Sequence, residues 1–377
     1  MPPHVLKLAS DIIKRSNREE PADAVLREYF RASRGLSRAD GSQVSRAVFV
    51  YFRWLGWLDQ NQPLSKRISH ALKLSARFAT DPASFADEEL TSRALPAWLR
   101  EELAITPDLA RSLQAEPKLW LRARPGQGRA LAAEFGSCVS FGEDALAEIL
   151  EYRGHQDLFR TEAFHQGRFE LQDISSQAVG LLCNPKAGET WWDACAGEGG
   201  KTLHLSDLMQ NKGLIWATDR VSWRLQKLKG RAARARVFNF RSALWDGGEK
   251  LPTKTKFDGI LIDAPCSGVG TWQRNPHARW TTKIEDIREL SRLQKQILTN
   301  AASATKPGGK LIYCVCTLTQ SETVSVVEEF ERGFPNFQRS DLRHPLNPLA
   351  PPASALYLLP KESGGNGMFV TAWIRKA

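Results

Sequence analysis

The chain has 377 residues, enough for two or three domains each with its own core, and its 42% hydrophobic and 25% charged content is ordinary for a soluble protein. No apolar run approaches the ~20 residues of a membrane-spanning helix, and the N-terminal MPPHVLKLASDIIKRS lacks the apolar core of a secretory signal, so a cytoplasmic protein is expected. A net charge of +10 suits a polyanionic partner, of which nucleic acid is the commonest.

Residues 1–115 read as a helical bundle without visible catalytic residues. Over 44–58 the apolar set Val44, Ala47, Val48, Tyr51, Leu55 and Leu58 follows the 3.6-residue period. Val25 with Tyr29, and Leu26 with Phe30, form an earlier amphipathic pair, and Ser69–Phe78, Pro96–Leu103 and Thr106–Gln114 look helical. Thr106 is a usable N-cap followed by proline at the first helical position. Residues 116–170 form a small α/β module. There KLWLRAR is strand-like, ALAAEFG and DALAEILEY are helical, and FRTEA and RFELQD look extended. From 171 to 377 the pattern alternates. SSQAVGLL opens a helix, and ETWWDAC, GLIWATD, ARVFNF, DGILIDAP and KLIYCVC are short runs rich in β-formers, mostly separated by helix-like segments. That alternation predicts an α/β domain with a mostly parallel sheet and helices on both faces, whose ligands bind beyond the carboxyl ends of the strands. ALYLLP and GMFVTAWI flank a turn and predict a terminal hairpin.

The stretch WWDACAGEGGKTLHL, from Trp191 to Leu205, reads as strand, tight loop and helix start. Glycines let backbone approach a ligand, and free N–H groups at a helix start favour a negative group. A P-loop needs glycine at 195, where Cys195 stands, and the dinucleotide fingerprint needs glycine at 202, where Thr202 stands. What fits is Asp193-x-x-x-Gly197-x-Gly199, the form used by enzymes that take S-adenosylmethionine (SAM), against the bland reading of an ordinary glycine-rich turn.

Asp219 ends a strand-like run 26 residues after Asp193 and is placed to accept hydrogen bonds from ribose hydroxyls, or else to cap a helix. In DAPCSG, Asp263 and Cys266 stand together at a strand end, with proline stiffening the turn between them. Cys316 ends the run KLIYCVC, and the expected topology makes these two strand ends near neighbours, so two thiols 50 residues apart could face one pocket. The six cysteines include no CxxC pair, so most are expected to be free buried thiols and no metal site is expected. Between Arg220 and Arg236 seven cations are almost uninterrupted by acids, which suits a nucleic-acid surface better than a merely solvated helix face.

These residues together resemble the RNA 5-methylcytosine methyltransferase family, the Sun/Nop group. QDISSQAVGLL resembles that family's opening segment, DACAGEGGKT its SAM loop, DAPCSGVGTWQRNP its substrate motif, KPGGKLIYCVCTLTQSE its nucleophile motif and GMFVTAWIRK its closing strand. The likeness covers about 160–377. The LWLRAR module resembles the family's small N-terminal subdomain, and 1–115 more loosely resembles the RNA-binding helical domain of some ribosomal-RNA members. Gly197-Glu198 replaces the commoner Ala-Pro, Cys314-Val315 replaces Ser-Thr, and His277 stands where an acid is common.

The resemblance implies a Rossmann-like SAM-dependent methyltransferase acting on cytosine carbon 5 of RNA, ribosomal RNA before transfer RNA, and working as a monomer. It implies Cys316 as the nucleophile at carbon 6, Cys266 as the aid to proton loss and product release, Asp263 as a partner of the base near N3, and Lys201 as a polarising cation. The SAM site would comprise Cys195, Ala196, Gly197, Glu198, Gly199, Gly200, Lys201, Asp219, Asp246 and Asp263, with Asp246 in LWDGG matching the adenine-side acid after a small gap. Three other readings compete: a DNA cytosine methyltransferase using Cys266, an RNA-binding protein with a relic SAM fold, and a small-molecule methyltransferase.

Overall fold

The structure, a computed structural model, describes residues 1–32 and 35–377. Its contacts divide the chain into two units: Met1–Pro117 with Gly268–Asp286, and Lys118–Ser267 with Ile287–Ala377. The segment 268–286, which continues directly from DAPCS, thus belongs with the helical unit, although its sequence reads as part of the 171–377 domain.

The first unit is built from helices Pro3–Arg15, Ala22–Ala32, Arg38–Arg53, Leu64–Thr80, Asp87–Arg93 and Pro107–Gln114, with short 3-10 turns between them. Val44, Ala47, Val48 and Tyr51 are buried as their period requires, but Arg38–Arg53 ends before Leu55, which falls in a separate 3-10 turn. Thr106 caps its helix by accepting the Leu109 N–H at 3.2 Å. Of the early amphipathic pair, Val25 and Leu26 are buried while Phe30 is exposed. The Trp54 ring sits 4.8 Å from Trp57 and 5.1 Å from Phe85, forming an aromatic centre.

The second unit opens with a small antiparallel sheet of β1 (Leu119–Ala123), β2 (Cys138–Ser140), β3 (Ile149–Tyr152) and β4 (Phe169–Leu171), in the order β2-β3-β1-β4. Two expectations fail here. DALAEILEY is a 3-10 turn over Asp144–Glu148 followed by β3, because Leu150 and Tyr152 alternate into the core of this sheet. FRTEA is helical rather than extended, since Thr161 caps the turn Glu162–His165 by accepting the Phe164 N–H at 3.2 Å.

The large sheet comprises β5 (Thr190–Asp193), β6 (Leu214–Asp219), β7 (Phe240–Leu244), β8 (Phe257–Asp263), β9 (Thr305–Val315), β10 (Phe337–Arg339), β11 (Ala355–Leu358) and β12 (Met368–Arg375). Its order is β10-β12-β9-β8-β5-β6-β7, with β11 paired to β12. Pairs among β5 to β9 are parallel, and those of β12 are antiparallel; β11 and β12 form the expected hairpin. The run ARVFNF is not a strand. Arg236 takes φ +54, Val237 donates back to the Ala232 carbonyl at 2.9 Å, and this left-handed cap ends helix Ser222–Arg234, so β7 begins only at Phe240. Trp192 and Trp191 alternate into the two cores either side of the sheet, the continuous apolar pattern of a strand covered on both faces. The strand order runs β5-β6-β7 one way and β8-β9 the other, so the switch point lies at β5 and β8. No helix among the described residues is long and apolar enough to cross a membrane.

Candidate active site

Asp193, Asp219 and Asp263 end β5, β6 and β8, and a cleft of about 560 Å³ opens over these strand ends. Cys195, Ala196, Gly197, Glu198, Gly200, Lys201, Asp219, Asp246, Asp263 and Cys266 all line it, every one of them in the second unit.

The loop after β5 is held by its glycines. Gly199 takes φ +87 and caps helix Gly200–Leu208, and a Cβ there would meet Leu228 Cγ at 2.6 Å. Gly197, at φ +54, has nothing within 4 Å of its Cβ position, so the loop backbone faces open space there. Asp219 fastens the loop from the next strand: one oxygen accepts the Gly197 N–H at 3.0 Å and the other the Val221 N–H at 2.8 Å. Asp219 thus binds the turn ahead of helix Ser222–Arg234 without being its N-cap, a place taken by Val221, and its carboxylate also lines the cleft. Glu198 points to Lys227, 2.7 Å away, and its carbonyl accepts from Arg231 at 3.1 Å. Asp246 is exposed and accepts the Gly248 N–H at 2.9 Å.

Asp193 is fully buried and accepts the Thr202 hydroxyl at 2.6 Å. Burial pushes its carboxyl up to about 7, against the pull of that hydroxyl. Lys201 Nζ donates to Asp263 at 2.6 Å and to Ser176 Oγ at 2.8 Å. Burial alone would lower its basicity, but the Asp263 carboxylate outweighs that and holds the amine above its ordinary value. Cys314 is buried, which raises its thiol, and it donates to Asp263 Oδ1 at 3.5 Å.

Cys266 and Cys316 are both half-buried, and their sulfurs lie 3.2 Å apart. Cys266 reaches the cleft wall, and Cys316, the first residue past the end of β9, stands against Cys266. Motif reading overlooked Ser176, Cys314 as a partner of Asp263, and Glu322. Ser176 sits within QDISSQAVGLL, and Glu322 lies six residues beyond Cys316, so both fall in quoted motifs without a spacing that singles them out.

A sheet in this order, with a glycine loop after its first parallel strand and acids at the next strand ends, defines the Rossmann-like class of SAM-dependent methyltransferases. The chain is similar over its full length to the crystal structure of PH0851, with TM-score 0.79, 22% identity and 99% of each chain covered, a likeness of fold. Residues 180–374 match the family model described as 16S rRNA methyltransferase RsmB/F, and the chain belongs to that family. It is 33% identical over 287 residues to a probable ribosomal RNA small subunit methyltransferase B of Synechocystis, covering 71% of this chain and 64% of that protein. It is 34% identical over 181 residues to the mouse tRNA (cytosine(72)-C(5))-methyltransferase NSUN6, covering 45% of this chain and 37% of that protein. The chain thus spans less than two thirds of the length of either relative.

Proposed function

We propose that the chain is a SAM-dependent RNA cytosine-5 methyltransferase working through a thiolate adduct at carbon 6, with ribosomal RNA as its substrate. The 3.2 Å approach of Cys266 to Cys316 beside the Lys201–Asp263 pair carries this reading. The cleft suits the cofactor. Gly199 has no room for a side chain, Gly197 leaves its backbone open, Asp219 offers carboxylate oxygens beside the loop, and the start of helix Gly200–Leu208 favours a negative group. When bound, SAM supplies an electrophilic methyl group.

Carbon 5 of cytosine is a poor nucleophile within an aromatic ring. The Cys316 thiolate adds to carbon 6, which makes carbon 5 enamine-like. Asp263, as a carboxylate, accepts from the exocyclic amine of the base beside N3, and Lys201, charged by its carboxylate neighbour, offsets negative charge developing on the ring. After methyl transfer the carbon-5 proton leaves. Cys266 assists that loss, and the sulfur–carbon-6 bond breaks to restore the Cys316 thiolate. The base must leave any stack to reach the site, at a few kcal/mol, least in a loop or bulge. The helical unit and the exposed cations Arg220, Arg224, Lys229 and Arg236 grip the RNA backbone, while Arg231 and Arg234 are held by the buried Glu170 and Lys227 by Glu198.

The family description and the Synechocystis relative support ribosomal RNA over transfer RNA. The test is a covalent trap. RNA transcribed with 5-fluorocytidine cannot lose its carbon-5 substituent, so wild-type protein should remain attached to it after methyl transfer. C316A should abolish the attachment. Attachment that survives C316A and needs Cys266 would overturn the assignment of the nucleophile, and no attachment to 16S rRNA with clear attachment to tRNA would overturn the choice of RNA.

A further inference from the structure

Glu322 is fully buried and lies off the cleft wall, yet its carboxylate accepts four hydrogen bonds. Oε1 takes the Ser267 N–H at 2.8 Å and the Gln294 side-chain amide at 2.9 Å. Oε2 takes the Ser267 hydroxyl, and the Thr319 hydroxyl at 2.8 Å. Ser267 Oγ lies in turn 3.0 Å from Thr317 Oγ1. Ser267 directly follows Cys266, and Thr317 directly follows Cys316. The same Gln294 amide donates to the Pro265 carbonyl at 2.9 Å, on the other side of Cys266. The Tyr313 hydroxyl closes the cluster, its one proton lying between Gln294 Oε1 at 3.0 Å and the Glu322 carbonyl at 2.7 Å.

Burying a carboxylate costs several kcal/mol unless its lone pairs are met. Here all four are met, and every donor belongs to the two thiol-bearing loops or to the helix that backs them. The Cys266 loop has no regular structure of its own to hold it, since β8 ends at Asp263. We propose that Glu322 is a positioning residue that sets the spacing of the Cys266 and Cys316 thiols, and so controls release of the RNA adduct more than its formation. The second half of that statement rests on the function proposed above. Attack needs only the Cys316 sulfur, whereas release needs Cys266 held against the same base.

The test begins without RNA, on the purified full-length chain. Oxidised glutathione joins two neighbouring thiols as a disulfide, each bond formed yielding two molecules of reduced glutathione, and mass spectrometry follows closure of the 266–316 pair. E322A should slow closure at least about tenfold, the loss expected when a charge-assisted hydrogen-bond hub is removed. E322Q should stay within about threefold of wild type, because its amide oxygen can face the two N–H donors while its NH₂ faces two hydroxyls free to turn and accept. SAM affinity by calorimetry should stay within about threefold in both variants, since Glu322 is absent from the cleft wall. Closure in E322A at the wild-type rate overturns the proposal, and so does equal slowing in E322Q. Should E322A lose SAM binding through misfolding, S267A, which removes only one hydroxyl, takes its place: slowed closure supports the proposal and unchanged closure overturns it.

The second readout uses 16S rRNA transcribed with ordinary cytidine. E322A should build up a covalent protein–RNA species that wild type does not, with E322Q close to wild type. A wild-type protein that forms no adduct even on 5-fluorocytidine RNA would refute the proposed function, while the closure rates would still decide the role of Glu322.

Discussion

Lys201 Nζ lies 2.6 Å from Asp263 Oδ2, and this one contact ties the first turn of the helix after β5 to the tip of β8. The two strands are neighbours at the switch point, so the pair stands across the mouth of the crevice. Replacing Lys201 with methionine keeps the stem and removes the charge. Asp263 then loses its one cationic partner in a largely enclosed site and keeps only the Cys314 thiol, at a cost on the order of 3 kcal/mol. Turnover should fall by about 100-fold or more if the cation offsets charge on the base. A lysine whose folded value is raised stabilises fully below its ordinary value and loses that contribution only as pH rises through the higher folded value. Lys201 therefore should keep its charge between about pH 6 and about pH 9, and in a D193N background, which removes the one neighbouring acid that changes charge near pH 7, a K201M defect that varied across that window would contradict it.

The two left-handed glycines of the loop should differ under substitution. An alanine Cβ at Gly199 would sit 2.6 Å from Leu228 Cγ, and Leu228 is fully buried in the core beneath helix Ser222–Arg234. At Gly197 there is strain from φ +54 but nothing to strike. G199A should cost about 2–4 kcal/mol, and G197A about 1 kcal/mol. Paired urea titrations decide the order, and calorimetry should show SAM affinity lost in G199A and only weakened in G197A.

The strand tips are legible in the sequence because each combines a short apolar run with an abrupt acid. Trp191–Asp193, Leu214–Asp219 and Phe257–Asp263 all carry that pattern, and the order of a doubly wound sheet brings such tips together. Other features leave no such mark. The run ARVFNF has strand composition, yet a left-handed Arg236 turns its first half into a helix cap. Glu322 and Ser176 are defined by partners 55 and 25 residues away, and a hydrogen bond of that separation has no period to read. The segment 268–286 groups with the helical unit through side chains such as Arg279, whose acceptors are main-chain carbonyls and one amide invisible to any motif.

Asp193 gives the protein an unusual pH dependence. Its folded carboxyl titrates at about 7 because it is sealed from solvent, while in the unfolded chain it titrates near 3.8. A raised folded value means that the contribution to stability is fully present below the unfolded value and is lost as pH rises through the folded one. Between about pH 4 and about pH 7 this group alone should remove roughly 4 kcal/mol. Asparagine can still accept the Thr202 hydroxyl and carries no charge. D193N should therefore flatten the slope of unfolding free energy against pH across that interval, and a slope equal to wild type would contradict the burial argument.

Arg279 is the anchor of segment 268–286 within the helical unit. It is fully buried, and its guanidinium donates to the carbonyls of Arg53, Ala94, Leu113 and Trp272 and to Gln114 Oε1 at 2.9 to 3.3 Å. The two terminal guanidinium nitrogens serve these five acceptors with four N–H groups fanned out in one plane, one of them shared, whereas a lysine ammonium has three donors at a single point. R279K should thus leave at least two acceptors unmet and cost about 3 kcal/mol, and R279M should cost more, since every acceptor is then left without this donor. The loss should be local. The residues lining the cleft all lie in the other unit, so SAM affinity should change by less than about threefold while proteolysis within 1–117 and 268–286 speeds by about 100-fold. Equal loss of protection throughout 118–267 would show instead that the two units unfold as one, and that Arg279 supports the whole chain rather than its helical part.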